Sequence, residues 1–231
     1  MAMQEGGIRG ETFRFFRTLG RNNCKEWMDA NRERYQQQVV QPLRHLLEAL
    51  TPAVLALHPR FDTSGRTGAN FSRINRDIRF AKDKTPYRTQ LYLKFSVPAP
   101  GKQETGQLYV GVSADIVTIG FRIYSGGKRK ESALAQIGQT RVQAEPAWVA
   151  RQKKRLGRRY ESYWYTMEKG QWTKRSGWPA APEDWKKILG WIVRRKLSPA
   201  AAARALFPRD VVKTFRELYP LLRFTSLPES V

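Results

Sequence analysis

LYLKFSV, Leu91–Val97, is the stretch on which the fold turns. Leu91, Leu93, Phe95 and Val97 alternate with Tyr92, Lys94 and Ser96, and a period of two fits an extended strand with one buried face. The same alternation recurs at Leu108, Val110 and Val112, and again at Val117, Ile119, Phe121 and Ile123 after a bend at Ser113-Ala114-Asp115. The turn-rich run from Pro98 to Gly106 separates the first two. Connections this short make neighbouring strands antiparallel, because a parallel pair needs a crossover of about a dozen residues.

Outward from the sheet the period lengthens. Upstream, Glu11 to Leu19 reads as a short helix with Phe13, Phe16 and Leu19 on one face. Gly20-Arg21-Asn22-Asn23 breaks it, and Asn23 with Glu26 three residues later reads as a capping box for the next helix. That helix is expected from Lys25 to about Leu57, kinked or interrupted at Pro42 and Pro52, and ended by His58-Pro59-Arg60. Phe61 to Ala69 reads as loop.

Downstream, Ser125-Gly126-Gly127 closes the sheet, and Lys128 to about Ile137 is expected to be helical. A basic helix is expected from Glu145 to Arg159, opening at Pro146. Glu161–Met167 and Gln171–Lys174 read as a strand pair around Lys169-Gly170. Asp184 to about Arg194 reads as a helix with Trp185, Ile188, Leu189 and Ile192 inward. Ser198-Pro199 should open a helix that Pro208 divides from a last one carrying Val211, Val212, Phe215, Leu218 and Tyr219. The expectation is one α+β domain over residues 1–231: N-terminal helices in 11–57, a central antiparallel sheet in 70–125, and C-terminal helices in a mainly helical basic part, 128–225.

Charge sets the functional expectations. Among 231 residues, 42 Lys and Arg face 20 Asp and Glu, a net of +22. Solubility needs only about 2–8 charges on a small domain, so the excess points to a polyanionic partner, nucleic acid first. The one cysteine, Cys24, allows no intrachain disulfide. No apolar run approaches the ~18–20 residues that span a bilayer, and the start has no hydrophobic signal core, so a cytoplasmic address is expected. His45 and His58 have no ligand-type neighbours at zinc spacing. There is no Walker glycine loop and no G-x-S-x-G elbow; Ser125-Gly126-Gly127-Lys128-Arg129-Lys130 lacks the rest of a phosphate-loop signature.

The densest charge is RINRDIRFAKDKTPYRT, Arg73–Thr89, where Arg73, Arg76, Arg79, Lys82, Lys84 and Arg88 surround Asp77 and Asp83. If Ser72–Phe80 is extended, Arg76 shares a face with Ile74, Ile78 and Phe80 and needs either a carboxylate partner, for which Asp77 and Asp83 are at hand, or a ligand near the core. Three readings stay open. The segment is an ion-pair network pinning helices to sheet. Or it is an anion site of Arg73, Arg76, Arg79, Lys82, Lys84, Tyr87 and Arg88, since Arg forks suit phosphate oxygens. Or Asp77 and Asp83 hold a divalent metal, with Lys82 or Lys84 beside a scissile phosphate. A second basic zone runs from Arg151 to Lys196, fourteen cations against four acids. Arg151, Lys154, Arg155, Arg158 and Arg159 fall mostly on one side of the expected helix. Tyr160, Tyr163, Trp164, Tyr165, Trp172 and Trp178 follow, as a second small core or as stacking surface for unpaired bases.

Asn22-Asn23, Lys25-Glu26-Trp27, Ala30-Asn31, Tyr35 and Pro42 resemble the start of the DUF2461 family of uncharacterised proteins. So does the charged string Arg76-Asp77-Ile78-Arg79-Phe80 running into Lys82-Asp83-Lys84-Thr85-Pro86-Tyr87-Arg88-Thr89, and so does Phe215–Phe224. The resemblance is firm over Glu11–Phe95 and thins from Gly101 to Lys196, where Ser125-Gly126-Gly127 stands in place of a longer glycine-rich stretch. It implies a cytoplasmic α+β domain and brings no activity, cofactor or catalytic residue with it.

Overall fold

The computed structural model describes residues 7–98, 105–125 and 133–226. The chain divides into two compact units. The first comprises Met1–Phe95, Tyr109–Ile119 and Lys196–Lys213. Its α1, Gly10–Arg21, runs slightly past the expected break and buries Phe13, Phe15, Phe16 and Leu19. The Phe15 ring lies 5.5 Å from Trp27 and 5.8 Å from Tyr35, so the aromatic residues of three helical segments share one cluster.

The long helix expected from Lys25 is four pieces: α2 (Lys25–Ala30), α3 (Arg32–Tyr35), a π-helical turn (Gln36–Val40) and α4 (Gln41–Leu57). Asn31 makes the first break, its side-chain amide donating to the Trp27 carbonyl at 2.8 Å in competition with the backbone ladder. Pro42 accounts for the wide turn. It has no N–H for the Gln38 carbonyl, and its ring crowds that oxygen. The Gln41 N–H reaches back five residues to Gln36 instead, and the Thr12 hydroxyl of α1 donates to the freed Gln38 carbonyl. Pro52, by contrast, sits inside α4 without ending it. Asn23 does not cap α2, whose N-cap is Cys24 with no side-chain bond. Its amide is engaged elsewhere, as described below.

Past α4, residues 61–75 form a loop held by Asn70, which is fully buried. Strand β1, Gln90–Phe95, has the expected in–out alternation. Strands β2 (Gln107–Ser113) and β3 (Val117–Tyr124) follow as expected.

The second unit comprises Ser96–Leu108, Gly120–Arg195 and Thr214–Val231. The glycine and lysine run 126–132 lies outside the described residues, as does most of the turn after Pro98. Helix α5, Ala133–Ala144, lies partly within the expected helical stretch. The basic helix α6 begins at Trp148, not at Pro146, and ends at Leu156 in a short 3-10 turn, Gly157–Arg159. Strands β4 (Glu161–Glu168) and β5 (Gln171–Ser176) form the expected antiparallel pair. Lys169 and Gly170 connect them, both at positive φ (49° and 75°), the backbone that a two-residue hairpin requires.

The helix expected over Asp184–Arg194 is a correction. Only α7, Pro182–Lys187, is helical, and Gly190–Leu197 is strand β6. Trp185, Ile188, Leu189 and Ile192 are buried as expected. In a strand buried on both faces the apolar run is continuous, and such a run has no period to separate it from a helix. The β-branched Ile192-Val193 pair favours the strand.

Ser198 Oγ accepts from Ala201 N–H at 3.2 Å and caps α8, Pro199–Ala202. The last helix, α9, is Phe207–Ser226, with Pro208 in its first turn, where the missing N–H costs nothing. Among the described residues six strands form one antiparallel sheet in the order β1-β2-β3-β6-β4-β5, with helices before and after it in sequence. Three of the six strands belong to the segment expected to be mainly helical. Among the described residues no helix is long and apolar enough to cross a membrane.

Candidate functional site

A cleft of about 350 Å³ opens in the first unit. One wall is helical: Arg32 and Tyr35 of α3, Gln36 and Val40 of the π turn, Leu43 and Arg44 of α4. Arg32, Gln36, Val40 and Arg44 are spaced by four. Steps of four overshoot a 3.6-residue turn by about 40° each, and the wide turn at Gln36–Val40 recovers part of that overshoot. Pro42, through the π turn, thus helps keep both guanidiniums on one wall, and such turns are frequent at functional sites.

The other wall is Phe71-Ser72-Arg73-Ile74-Asn75, with Thr67 and Leu91. This segment is extended without belonging to a named strand. Phe71 bridges Leu93, and Asn75 bridges Tyr87. Ser72 N–H donates to the Tyr92 carbonyl at 3.0 Å, while Ser72 Oγ accepts from Tyr92 N–H at 2.9 Å. The Arg88 N–H donates to Ile74 and the Arg76 N–H to Pro86, both at 2.8 Å. These bonds close residues 76–86 into a loop. Asn23 pins its base: the side-chain amide donates to the Tyr87 carbonyl at 2.9 Å and its oxygen accepts the Tyr87 N–H at 3.0 Å. The amide that sequence spacing assigns to a helix cap holds the charged loop instead.

The structure separates the seven cationic and aromatic candidates of the charged motif. Arg73 alone lines the cleft. Arg76 is half-buried and donates to Asp83 at 2.6 Å and to the Thr85 carbonyl at 3.0 Å. Arg79 forks onto Asp77 with bonds of 3.0 and 2.8 Å. The Lys84 ammonium donates to the Ile78 carbonyl at 3.0 Å, across the loop. Tyr87 is buried. Lys82 and Arg88 are exposed, with no ion pair among the described residues. The expected alternation of faces holds from Arg73 to Ile78 and fails at Phe80, which is 95% exposed where the loop turns.

The Thr85 backbone N–H, then Arg76, then the Thr85 hydroxyl hold the Asp83 carboxyl at about 2, below an ordinary 3.8. Hydrogen bonds from Arg79 lower Asp77 as well. A depressed carboxylate stabilises the fold above its ordinary value, and that contribution disappears as the pH falls through the folded value. In an NMR titration the Asp83 carboxyl and the Thr85 amide are therefore expected to share a midpoint near 2. A midpoint at the ordinary carboxylate value would show that the Arg76–Asp83–Thr85 bonds do not form.

In the cleft itself, Arg32 is paired with Asp29 at 2.7 Å, which raises its already high pKa. Arg44 lies over the Phe71 ring at 5.7 Å. Neither Arg44 nor Arg73 has an ion-pair partner among the described residues. Burial pushes the Tyr35 phenol up to about 12, so it stays a neutral hydroxyl. Cations along a low-dielectric cleft focus positive potential into it. Sequence reading missed Arg32, Gln36 and Arg44; their four-residue spacing was the available signal, masked by the apolar face of the same helix.

In the second unit, the five cations expected on a basic helix are exposed on α6 and the turn after it. Arg151 pairs with Glu145. Arg155 donates to the Glu217 carbonyl at 2.6 Å, and Arg159 pairs with the Glu217 carboxylate at 3.0 Å. Lys154 and Arg158 have no ion pair among the described residues. Of the aromatics, Tyr160, Tyr163 and Trp164 are buried, whereas Trp172 is exposed. Tyr160 donates to Glu217, and burial together with that bond pushes its phenol up to about 12. Among the described residues no group of three or more His, Cys, Asp or Glu is placed to hold a metal ion.

The family model described as a conserved hypothetical protein, DUF2461, matches residues 11–224, through the region where the sequence resemblance thins. No curated protein matches the chain.

Proposed function

The chain belongs to the DUF2461 family of conserved hypothetical proteins, and from that premise we propose that it binds anions through phosphate groups, nucleic acid foremost. One observation carries this reading: Arg32, Arg44 and Arg73 line a single cleft, and only Arg32 has a carboxylate partner among the described residues. Guanidinium forks match phosphate oxygens two at a time. The volume lies at the lower end of the ~300–1,000 Å³ typical of ligand sites, suited to a phosphate with its sugar rather than to a folded partner. The net charge of +22 supplies long-range attraction for a polyanion. A cytoplasmic setting belongs to the same proposal, consistent with a single unpaired cysteine, Cys24.

Thermal unfolding in inorganic phosphate and in a nucleoside monophosphate, against chloride at equal ionic strength, tests the cleft. Ligand that binds only the folded state raises the midpoint. Arg44→Gln and Arg73→Gln are each expected to weaken phosphate binding about tenfold or more, since a hydrogen bond to a charged group is worth about 1.5–3 kcal/mol. Both side chains are exposed, so the midpoint without ligand should hardly move. Equal stabilisation of wild type by phosphate and chloride, or undiminished phosphate stabilisation in both variants, overturns the proposal.

A further inference from the structure

The β4–β5 hairpin and its neighbour β6 carry a second surface. Residues directly opposite each other on paired strands share a face. Tyr165 stands opposite Lys174 on one side and Gly190 on the other, and Met167 stands opposite Trp172. Tyr163 stands opposite Ser176 and Ile192. One face of the sheet therefore gathers Tyr163, Tyr165, Met167, Trp172 and Lys174. Tyr124 of β3 joins them, because Gly190 has no side chain: a Cβ there would sit 2.7 Å from the Tyr124 ring.

The result is a row of rings across β3, β4 and β5. Tyr165 and Trp172 are 5.7 Å apart, Tyr124 and Tyr165 6.2 Å, Tyr124 and Trp172 6.3 Å. Trp172 is 43% exposed, Tyr124 41% and Met167 46%, although the other large aromatics of this unit are mostly buried. Cations flank the row. Lys174 lies 4.2 Å and Arg194 5.0 Å from the Tyr163 ring. Glu161, an acid on this face, is matched by Arg194 at 3.1 Å. Glu168, on the opposite face of the hairpin, is matched by Arg175.

We infer that this face binds single-stranded nucleic acid, with bases stacking on Trp172, Tyr165 and Tyr124 and the backbone drawn to Lys174. Half-exposed rings with flanking cations and, among the described residues, no unmatched acid suit a ligand that is aromatic and anionic together. Every base has a π-face, so such a platform tolerates sequence. A duplex hides its bases and meets only the cations. The inference deepens the anion-binding reading and rests on it only for the ligand's negative charge, since the cleft belongs to the first unit and these residues to the second.

Fluorescence anisotropy with a short labelled oligo-deoxythymidine, an abasic strand of the same length and a duplex tests it. Wild type should prefer the oligo-deoxythymidine to both competitors. Trp172→Ala should weaken that binding about tenfold or more, since one base–ring stack is worth about 1–3 kcal/mol, and Trp172→Phe should restore most of it. Lys174→Gln should lower the salt slope by about one. Phosphate binding at the cleft should be unchanged in all three variants, so the two sites fail or survive separately. Equal affinity for the abasic strand, or unchanged affinity in Trp172→Ala, overturns the inference.

Discussion

Trp191→Ala is expected to lower the stability of the fold by about 3–5 kcal/mol. Trp191 is fully buried on β6, with Trp178 at 5.4 Å, Trp185 at 5.5 Å and Phe121 at 5.6 Å, each edge-on to its ring. Edge-to-face pairs add about 0.5–1.5 kcal/mol each beyond the area they bury. The indole N–H donates to Ser162 Oγ at 3.1 Å, so truncation also leaves a buried hydroxyl without its donor. Three large rings around the void leave little room for collapse, because Trp185 is fixed by its own bond to the Pro179 carbonyl at 2.9 Å and packs over the bare backbone of Gly138. Urea unfolding followed by circular dichroism gives the measurement. A loss below about 1 kcal/mol would mean that the tryptophan cluster does not organise this core.

The second large effect lies in the first unit. Asn70→Ala is expected to cost about 3 kcal/mol, because one fully buried side chain serves three backbone groups. Its oxygen accepts the Gly65 N–H at 2.8 Å, and its amide donates to the Asp62 carbonyl at 2.7 Å and the Lys94 carbonyl at 3.1 Å. Alanine leaves all three without that partner, and each buried group stranded in this way costs about 1–3 kcal/mol. Asn70→Asp should be no better, since it removes both donors and buries a charge. The residue leads directly into the Phe71–Asn75 wall, so phosphate binding should weaken along with stability. Denaturant midpoints with Gly65 amide protection would show it; full protection in the alanine variant would refute the assigned bonds.

The fold was legible where one face of an element is buried and the other wet. Leu91–Val97 and the Lys169-Gly170 hairpin carry their structure in period and turn chemistry, and the order of helices, sheet and helices follows from them. Legibility ended at β6, where Trp191-Ile192-Val193 is buried on both faces and the alternation disappears. It ended again at Asn23, because the cap and the clamp on Tyr87 use the same amide, and the choice depends on a segment sixty-four residues away. The charged motif was legible as a motif but not as a division of labour. Arg76 and Arg79 are engaged with Asp83 and Asp77, and Arg73 is left to the cleft, because the loop closes between Asn75 and Tyr87. Arg32 and Arg44 come to that cleft from a helix whose wide turn only Pro42 foreshadows.

Gly190 has a meaning for β6 beyond the space it leaves. The side chain that follows it, Trp191, is the largest the chain can build, and the backbone beneath Tyr124 admits none at all. Sliding this strand by one place would drive an indole into that ring and empty the tryptophan nest on the reverse side. A hydrogen atom and a bicyclic ring, set side by side, thus act as a key with a single cut, and they fix the phase in which this strand can be inserted.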